Sequence, residues 1–280
     1  MKQPVITILG LCGRSVFLKV DHFHHPGETL HANALHIEPG GKGYNQAVAA
    51  ARLGAAVHFI AACGDDEDGK ACSSFLTKEG ITPHIQTVEY STAFASILTD
   101  ATGENQVTVF RGAADKLSAA FVYAQEAAFE ESDIVLLNFE VPSDANNAAI
   151  ELAEKHGAKL FLNPAPAHPC SKEFLKHFYC ITPNESEAEI LGMETEREVI
   201  TLGSRGALVK ENGSEIHLSS VKVAAKDTTG AGDCFTAALA VAIGEGKELL
   251  EAAQFAQKAA AKSVEQEYVM PSLPYRNTIE

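Results

Sequence analysis

The chain has 280 residues, 46% hydrophobic and 21% charged, which is enough apolar material for a large buried core and sets disorder aside. A formal net charge of −15, with no dense run of lysine or arginine, excludes a nucleic-acid backbone as partner and favours a small molecule. Six cysteines (Cys12, Cys63, Cys72, Cys170, Cys180, Cys234) stand without a C-x-x-C pair, as reduced thiols of a cytoplasmic protein would, and argue against zinc.

The opening "MKQPVITILGLCG" holds an apolar stretch too short for a signal-peptide core or a membrane span, and its run from Val5 to Leu9 predicts a buried strand. "SVFLKVDHF" and "TLHANALHI" alternate on either side of the turn-like "HHPGE", predicting a hairpin. From Tyr44 to Leu53 "YNQAVAAARL" predicts a helix opened by "PGGKG" and closed by Gly54, with "AVHFIAACG" as the next strand. The acidic "DDED" at 65–68 reads as a solvated helix start. "AFASILTD" and "NQVTVFRG", joined by "ATGE", predict a second hairpin.

Beyond it, "DIVLLNFE", "KLFLNPAP", "YCITPNE" and "EVITLGSRGALVK" read as strands, with helical stretches such as "PSDANNAAIELAEKHG" in the first two gaps. Only "METER" separates "ITPNESEAEILG" from "EVITLG", so one short helix must make that crossover. The alternation predicts an α/β fold with a mostly parallel sheet covered by helices. No linker divides the chain, so residues 1–280 form one domain, with a small lid from two insertions at about 13–38 and 91–112.

"KDTTGAGDCF", residues 226–235, sets Gly-Ala-Gly before an aspartate and a long alanine-rich run. Glycines ahead of a helix let backbone approach a ligand, and the first free N–H groups carry the positive end of the helix dipole. Gly230, Ala231 and Gly232 can therefore form a concave anion site, with Asp233 in the first helical turn. A carboxylate beside a phosphate site makes sense if it takes a proton from a hydroxyl attacking that phosphate. An ordinary tight turn followed by a first-turn aspartate explains these ten residues equally well. No G-x-x-x-x-G-K-[ST] occurs, which excludes a P-loop kinase, and "GLCG" at 10–13 is an incomplete dinucleotide fingerprint that reads as a plain turn. His22, His24, His25, His31 and His36 crowd the first hairpin without the spacing or partners of a zinc site.

Taken together, these residues resemble the ribokinase-like, PfkB-type carbohydrate kinases. "GGKGYNQAVAAARLGA" is similar to the family's N-terminal signature and "DTTGAGDCFTAALA" to its C-terminal one, while "PGET", "GDDEDG", "LNPAPA", "ITPNESEAE" and "TLGSRG" match shorter stretches in the family's order. The resemblance covers almost the whole chain. It implies a three-layer α/β sandwich with a β-sheet lid, and transfer of the γ-phosphoryl group of ATP to a sugar hydroxyl. Asp233 then matches the catalytic base, and Gly230, Ala231 and Gly232 the anion hole. Gly41, Lys42, Gly43 and Asn45 match the sugar-contacting loop, and Glu140 a further sugar contact. Asn184 and Glu187 match residues that serve the phosphates and the water shell of Mg²⁺, and Thr201, Gly203, Ser204 and Gly206 the nucleotide pocket. Asp227, Thr229 and Ser272 match a monovalent-cation site, with K⁺ as the implied ion. Members of this family often pair through their lids, which implies a homodimer. Without the resemblance, Lys42 reads as a solvated loop cation, Glu140 as a strand-end carboxylate, and Asn184 with Glu187 as a helix cap.

The chain departs from the family mainly on the acceptor side. Gly13 and Ser15 stand where an asparagine and an aspartate usually hold sugar hydroxyls, Ala114 ends a "GAA" in place of "GAN", and Tyr268 replaces a glycine in the cation loop. Serine offers one neutral contact where a carboxylate accepts two with charge assistance. An acceptor other than ribose is one consequence. Two further readings are a nucleoside kinase, with Phe17, Phe94 and Phe110 as platform candidates, and a non-catalytic sugar- or nucleotide-binding protein.

Overall fold

Continuous burial sets the first strand, β1 (Val5–Leu9), in the middle of a large sheet, with Ile6 and Ile8 facing one layer of helices and Leu9 the other. The computed structural model describes residues 2–192 and 195–279. The later strands are β2 (Gly13–Lys19), β3 (Ala34–Gly40), β4 (Ala56–Gly64), β5 (Thr82–Val88), β6 (Ala93–Thr99) and β7 (Asn105–Phe110), then β8 (Ile134–Asn138), β9 (Lys159–Asn163), β10 (Cys180–Ile181), β11 (Arg197–Thr201), β12 (Ala207–Glu211) and β13 (Ser214–Leu218). The helices are α1 (Lys42–Arg52), α2 (Glu67–Lys78), α3 (Ala119–Tyr123), α4 (Glu126–Glu131), α5 (Ser143–His156), α6 (Lys172–Leu175), α7 (Glu185–Leu191), α8 (Ala231–Gly244) and α9 (Leu249–Ser263).

Among the described residues, nine strands form the large sheet in the order β13-β12-β11-β10-β9-β8-β1-β4-β5, parallel from β11 to β5 and antiparallel over β12 and β13. Helices α1, α2, α8 and α9 bury their apolar faces against one side, and α3, α4 and α5 against the other. The result is a three-layer α/β sandwich. The run "EVITLGSRGALVK" is not one strand but two, because Gly203 and Gly206, with φ of 57° and 100°, reverse the chain between β11 and β12. Helix α1 begins at Lys42, two residues before its expected start, since the Asn45 N–H already bonds the Gly41 carbonyl at 2.8 Å. Among the described residues the crossover from β10 to β11 is made by α7, and Met193 and Glu194 of "METER" lie outside them.

The small sheet has the order β3-β2-β6-β7, two antiparallel hairpins joined through parallel β2 and β6. Its inner face carries Ser15, Phe17, His36, Glu38 and Ile97, with Phe17 and Ile97 buried. Phe94 and Phe110 are paired on the opposite face and exposed. The three phenylalanines named as a platform therefore do not share a face. Asp66 is also more than a solvated helix start: its carboxylate caps α2 through Gly69 N at 2.9 Å and accepts from Thr92 N at 2.8 Å, fastening the start of β6 to α2.

Candidate active site

The carboxyl ends of β1, β8, β9, β10 and β11 open on one crevice, the usual ligand position in a parallel sheet. Its floor depends on close backbone contact. A Cβ on Gly10 would lie 2.6 Å from the Gly43 Cα, so the loop after β1 touches the first turn of α1 directly. Asn138, at the end of β8, donates to the Leu9 carbonyl at 2.9 Å and accepts from Glu140 N at 3.0 Å, which aims Glu140 at the same turn. The Lys42 N–H donates to Glu140 Oε2 at 2.6 Å.

Helix α8 enters from the other side. Gly230 precedes it with φ of 77°, and Ala231, Gly232 and Asp233 form its first turn. Asp233 is 7% exposed and accepts a 2.7 Å bond from Asn45 Nδ2, so the first turns of α1 and α8 are joined at the carboxylate. Burial pushes the Asp233 pKa above the ordinary aspartate value, against the pull of the Lys42 ammonium. Burial likewise pushes Glu140 to about 7, with Lys42 pulling it down and Asp233 adding to the rise. Lys42 is held protonated chiefly by Asp233, then by Glu140 and Glu187. Behind the carboxylate, Gln46 donates to Asn163 at 3.1 Å and Asn163 to the Thr182 carbonyl at 3.0 Å. The oxygen Asn45 Oδ1, on the amide that holds Asp233, is buried without a hydrogen-bond partner.

Asp233 opens on a polar cavity of about 200 Å³ that Lys42, Asn163, Thr182, Asn184, Glu187, Thr201, Gly230 and Gly232 also line. Asn184 and Glu187 form a complete capping box on α7, with both backbone-to-side-chain bonds at 2.8 Å, and line this cavity as well. Thr201 and Gly232 are shared with a larger, mostly apolar cleft of about 640 Å³, which Gly203, Ser204, Gly206, Val221, Val223, Phe235, Ala260 and Val264 also wall. A polar cavity opening into an apolar cleft of that size suits phosphates attached to a flat ring.

Gly41, Lys42, Gly43, Asn45, Glu140, Asn184, Glu187 and Gly230 to Asp233 thus converge on one place, while Thr201, Gly203, Ser204 and Gly206 edge the cleft. Asp227 sits apart from the cavity, where Oδ1 accepts from Thr229 N at 2.9 Å and Oδ2 from Tyr268 N at 3.0 Å. Ser272 bonds within the same C-terminal loop, to the Val269 carbonyl at 2.9 Å. Tyr268 adopts the left-handed conformation that favours glycine, with φ of 65°.

Sequence reasoning passed over three residues. Asn138 was hidden inside an apolar strand run. Arg111, whose guanidinium donates to the Glu140 carbonyl at 3.0 Å, looked like a hairpin end. Glu38 was readable as a charge at an inward strand position, in step with His36 and two residues before the glycine pair.

The description "pfkB family carbohydrate kinase" matches residues 5–276. The chain belongs to this family of carbohydrate kinases. Ribokinase of Haemophilus influenzae is 40% identical over 295 residues, covering 98% of this chain and 96% of that protein. Among solved structures, Thermotoga maritima ribokinase aligns with a TM-score of 0.87 at 33% identity, over 99% of this chain and 98% of the other. Arabidopsis thaliana ribokinase, solved with ribose and ATP, aligns with a TM-score of 0.87 at 28% identity, over 99% of this chain and 98% of the other. The kinase family fits the geometry described above, and the chain is a ribokinase-family sugar kinase, a phosphotransferase with an alcohol group as acceptor. Among the described residues, no helix is long and apolar enough to cross a membrane.

Proposed function

We propose that the chain transfers the γ-phosphoryl group of ATP to a hydroxyl of a small sugar, with Asp233 as general base. The observation that carries this reading is the buried Asp233 carboxylate, oriented by Asn45 at the first turn of α8, on the wall of a cavity that joins a nucleotide-sized cleft. The acceptor hydroxyl gives its proton to Asp233 as its oxygen attacks phosphorus, and the N–H groups that follow Gly230 receive the charge of the transferred group. Lys42 balances the phosphates from the α1 side. Asn45 Oδ1, buried and unpartnered, accepts from a substrate hydroxyl.

Asn184 and Glu187 offer oxygens to the water shell of Mg²⁺; one Glu187 oxygen is engaged in the cap, so this carboxylate suits outer-shell contact. Mg²⁺ would neutralise phosphate charge during transfer. Asp227, Thr229 and the loop ending at Ser272 supply the oxygen-only donors that K⁺ prefers, and the left-handed turn at Tyr268 is compatible with loop carbonyls aimed at an ion.

On the acceptor side a Cβ at Gly13 would meet the Ala93 Cβ at 2.8 Å, so no longer side chain fits there without moving β6. Ser15 contacts the position of a Gly40 Cβ at 2.3 Å and offers one hydroxyl. We infer an acceptor that differs from ribose at the edge facing these residues. The small sheet acts as a lid over it, formed by insertions 13–38 and 91–112 on a single domain. Leu35, Ile37, Phe94 and Phe110 make the outer face of the lid apolar and exposed, which supports pairing of two chains there. Free cysteines throughout suit the cytoplasm.

The test is ADP release with ATP and Mg²⁺ against pentoses, deoxypentoses, hexoses, sugar acids and nucleosides. One acceptor with saturable turnover supports the reading. Ligand-induced thermal stabilisation without ADP formation from any acceptor would turn it into a binding protein.

A further inference from the structure

Glu38 lies on the inner face of β3, opposite Ser15, and is 7% exposed. A buried carboxylate persists only when its oxygens are satisfied, and here both are. Oε1 accepts from Val269 N at 2.9 Å, while Oε2 accepts from Met270 N at 3.2 Å and lies 2.9 Å from His36 Nε2. A carboxylate only accepts, so His36 Nε2 carries the hydrogen. The lid strand is thus bonded to the main chain of the C-terminal loop, not merely packed on it.

Two contacts lead from that loop to the first turn of α8. The Val269 side chain lies against Gly230, where an added Cβ would come within 2.7 Å of Val269 Cγ1. Next to it, Tyr268 is held in a conformation unfavourable for a tyrosine by its N–H bond to Asp227 and by stacking on His36, with ring centroids 3.9 Å apart. Asp227 in turn accepts from Thr229 N, one residue before Gly230. Three residues after Glu38 the chain runs from β3 into Gly41 and Lys42. One strand therefore touches both the acceptor loop and, through Val269, the turn that receives phosphoryl charge.

We propose that Glu38 is a positioning residue that joins seating of the lid to assembly of the anion hole, acting through Val269 on Gly230. The proposal rests on the kinase reading above. A carboxylate is needed because glutamine has a single acceptor oxygen and would turn its NH₂ toward a main-chain N–H. Correct placement of these donors matters most in the transition state, so the link acts on kcat more than on nucleotide binding.

The experiment compares the full chain with Glu38→Gln, Glu38→Asp, Val269→Ala and the double variant Glu38→Gln with Val269→Ala. Its readouts are steady-state kinetics and hydrogen exchange over 228–233 and 267–272. The expected result is a kcat lower by about tenfold in Glu38→Gln and in Val269→Ala, an ATP KM within about threefold of the parent, and a double variant no worse than the poorer single one. Glu38→Asp, which keeps both oxygens, recovers part of the loss. Exchange protection falls at 228–233 as well as at 267–272. A Glu38→Gln variant with normal kcat and only a lower melting temperature overturns the proposal, as does multiplication of the two single losses in the double variant. If the parent chain forms no ADP with any acceptor, the kinase reading fails. Exchange then still decides the link, since protection lost only at 267–272 would break the path to Gly230.

Discussion

Replacing Glu140 by glutamine should make the folded protein more stable and the enzyme worse. Burial moves the Glu140 carboxyl from its ordinary 4.5 to about 7, so the folded state holds its proton more tightly than the unfolded chain. The favourable contribution of such an acid is fully present below pH 4.5 and is lost as pH rises through 7. At pH 8.5 the ionised form costs the fold at most about 3 to 4 kcal/mol, and roughly 1 to 2 kcal/mol once water in the open crevice is allowed for. Glutamine keeps an oxygen for the Lys42 N–H and carries no charge at any pH. Urea unfolding at pH 4, 7 and 8.5 should therefore show parent and variant nearly equal at pH 4, with the variant ahead by about 1 to 2 kcal/mol at pH 8.5. Its acceptor KM should rise by about tenfold, from loss of a charge-assisted contact. A gap that does not change with pH, or a variant less stable at pH 8.5, would refute the argument that this carboxylate is ionised at a cost.

Turnover should fall on the acid side with a limb above the ordinary aspartate range, because only ionised Asp233 accepts a proton and burial raises its pKa. A limb at the ordinary aspartate value would mean the carboxylate is solvated. Asp66→Ala should lose about 2 kcal/mol in urea unfolding, as the α2 cap and both Thr92 bonds disappear together; a change below about 0.5 kcal/mol would leave Asp66 a solvated residue after all. A thiol reagent should modify at most Cys170 in the native protein, since the other five cysteines are buried and Cys234, for one, is pushed up to about 12. Rapid reaction of two or more thiols without denaturant would contradict that burial.

Strands whose faces both lie in the core were legible because their residues are apolar in unbroken runs: β1 and β8 could be read almost residue by residue. The edge strands were not. Thr82–Val88 and Ser214–Leu218 are polar, Pro83 interrupts the first, and neither pairs on its outer side, so nothing local marked them. The glycine turn between β11 and β12 was missed, because the apolar residues on both sides of "GSRG" read as one strand and the reversal shows only in their antiparallel pairing. Gly41, Gly43 and Gly230 stand where a positive φ or close backbone approach demands glycine, whereas Lys42, Glu140, Asn184 and Glu187 were legible as site residues only through the family resemblance, since alone they read as a loop cation, a strand-end carboxylate and a helix cap. The Glu38 link joins residues 231 positions apart in sequence through main-chain N–H groups, which leave no mark on side-chain identity. Phe94 and Phe110 show the same limit. Their parity could be read within each strand, but only the register of β2 with β6 places them opposite Phe17.

The central claim is that Asp233 takes the acceptor proton. Its most direct test is single-turnover ADP formation by the parent chain and by Asp233→Asn, with the acceptor that gives turnover and with nucleotide binding measured separately. The account predicts a rate lower by about 10²- to 10⁴-fold in the variant, with ATP affinity unchanged or improved. A variant that binds ATP and forms ADP and phosphorylated acceptor at the parent rate would contradict it.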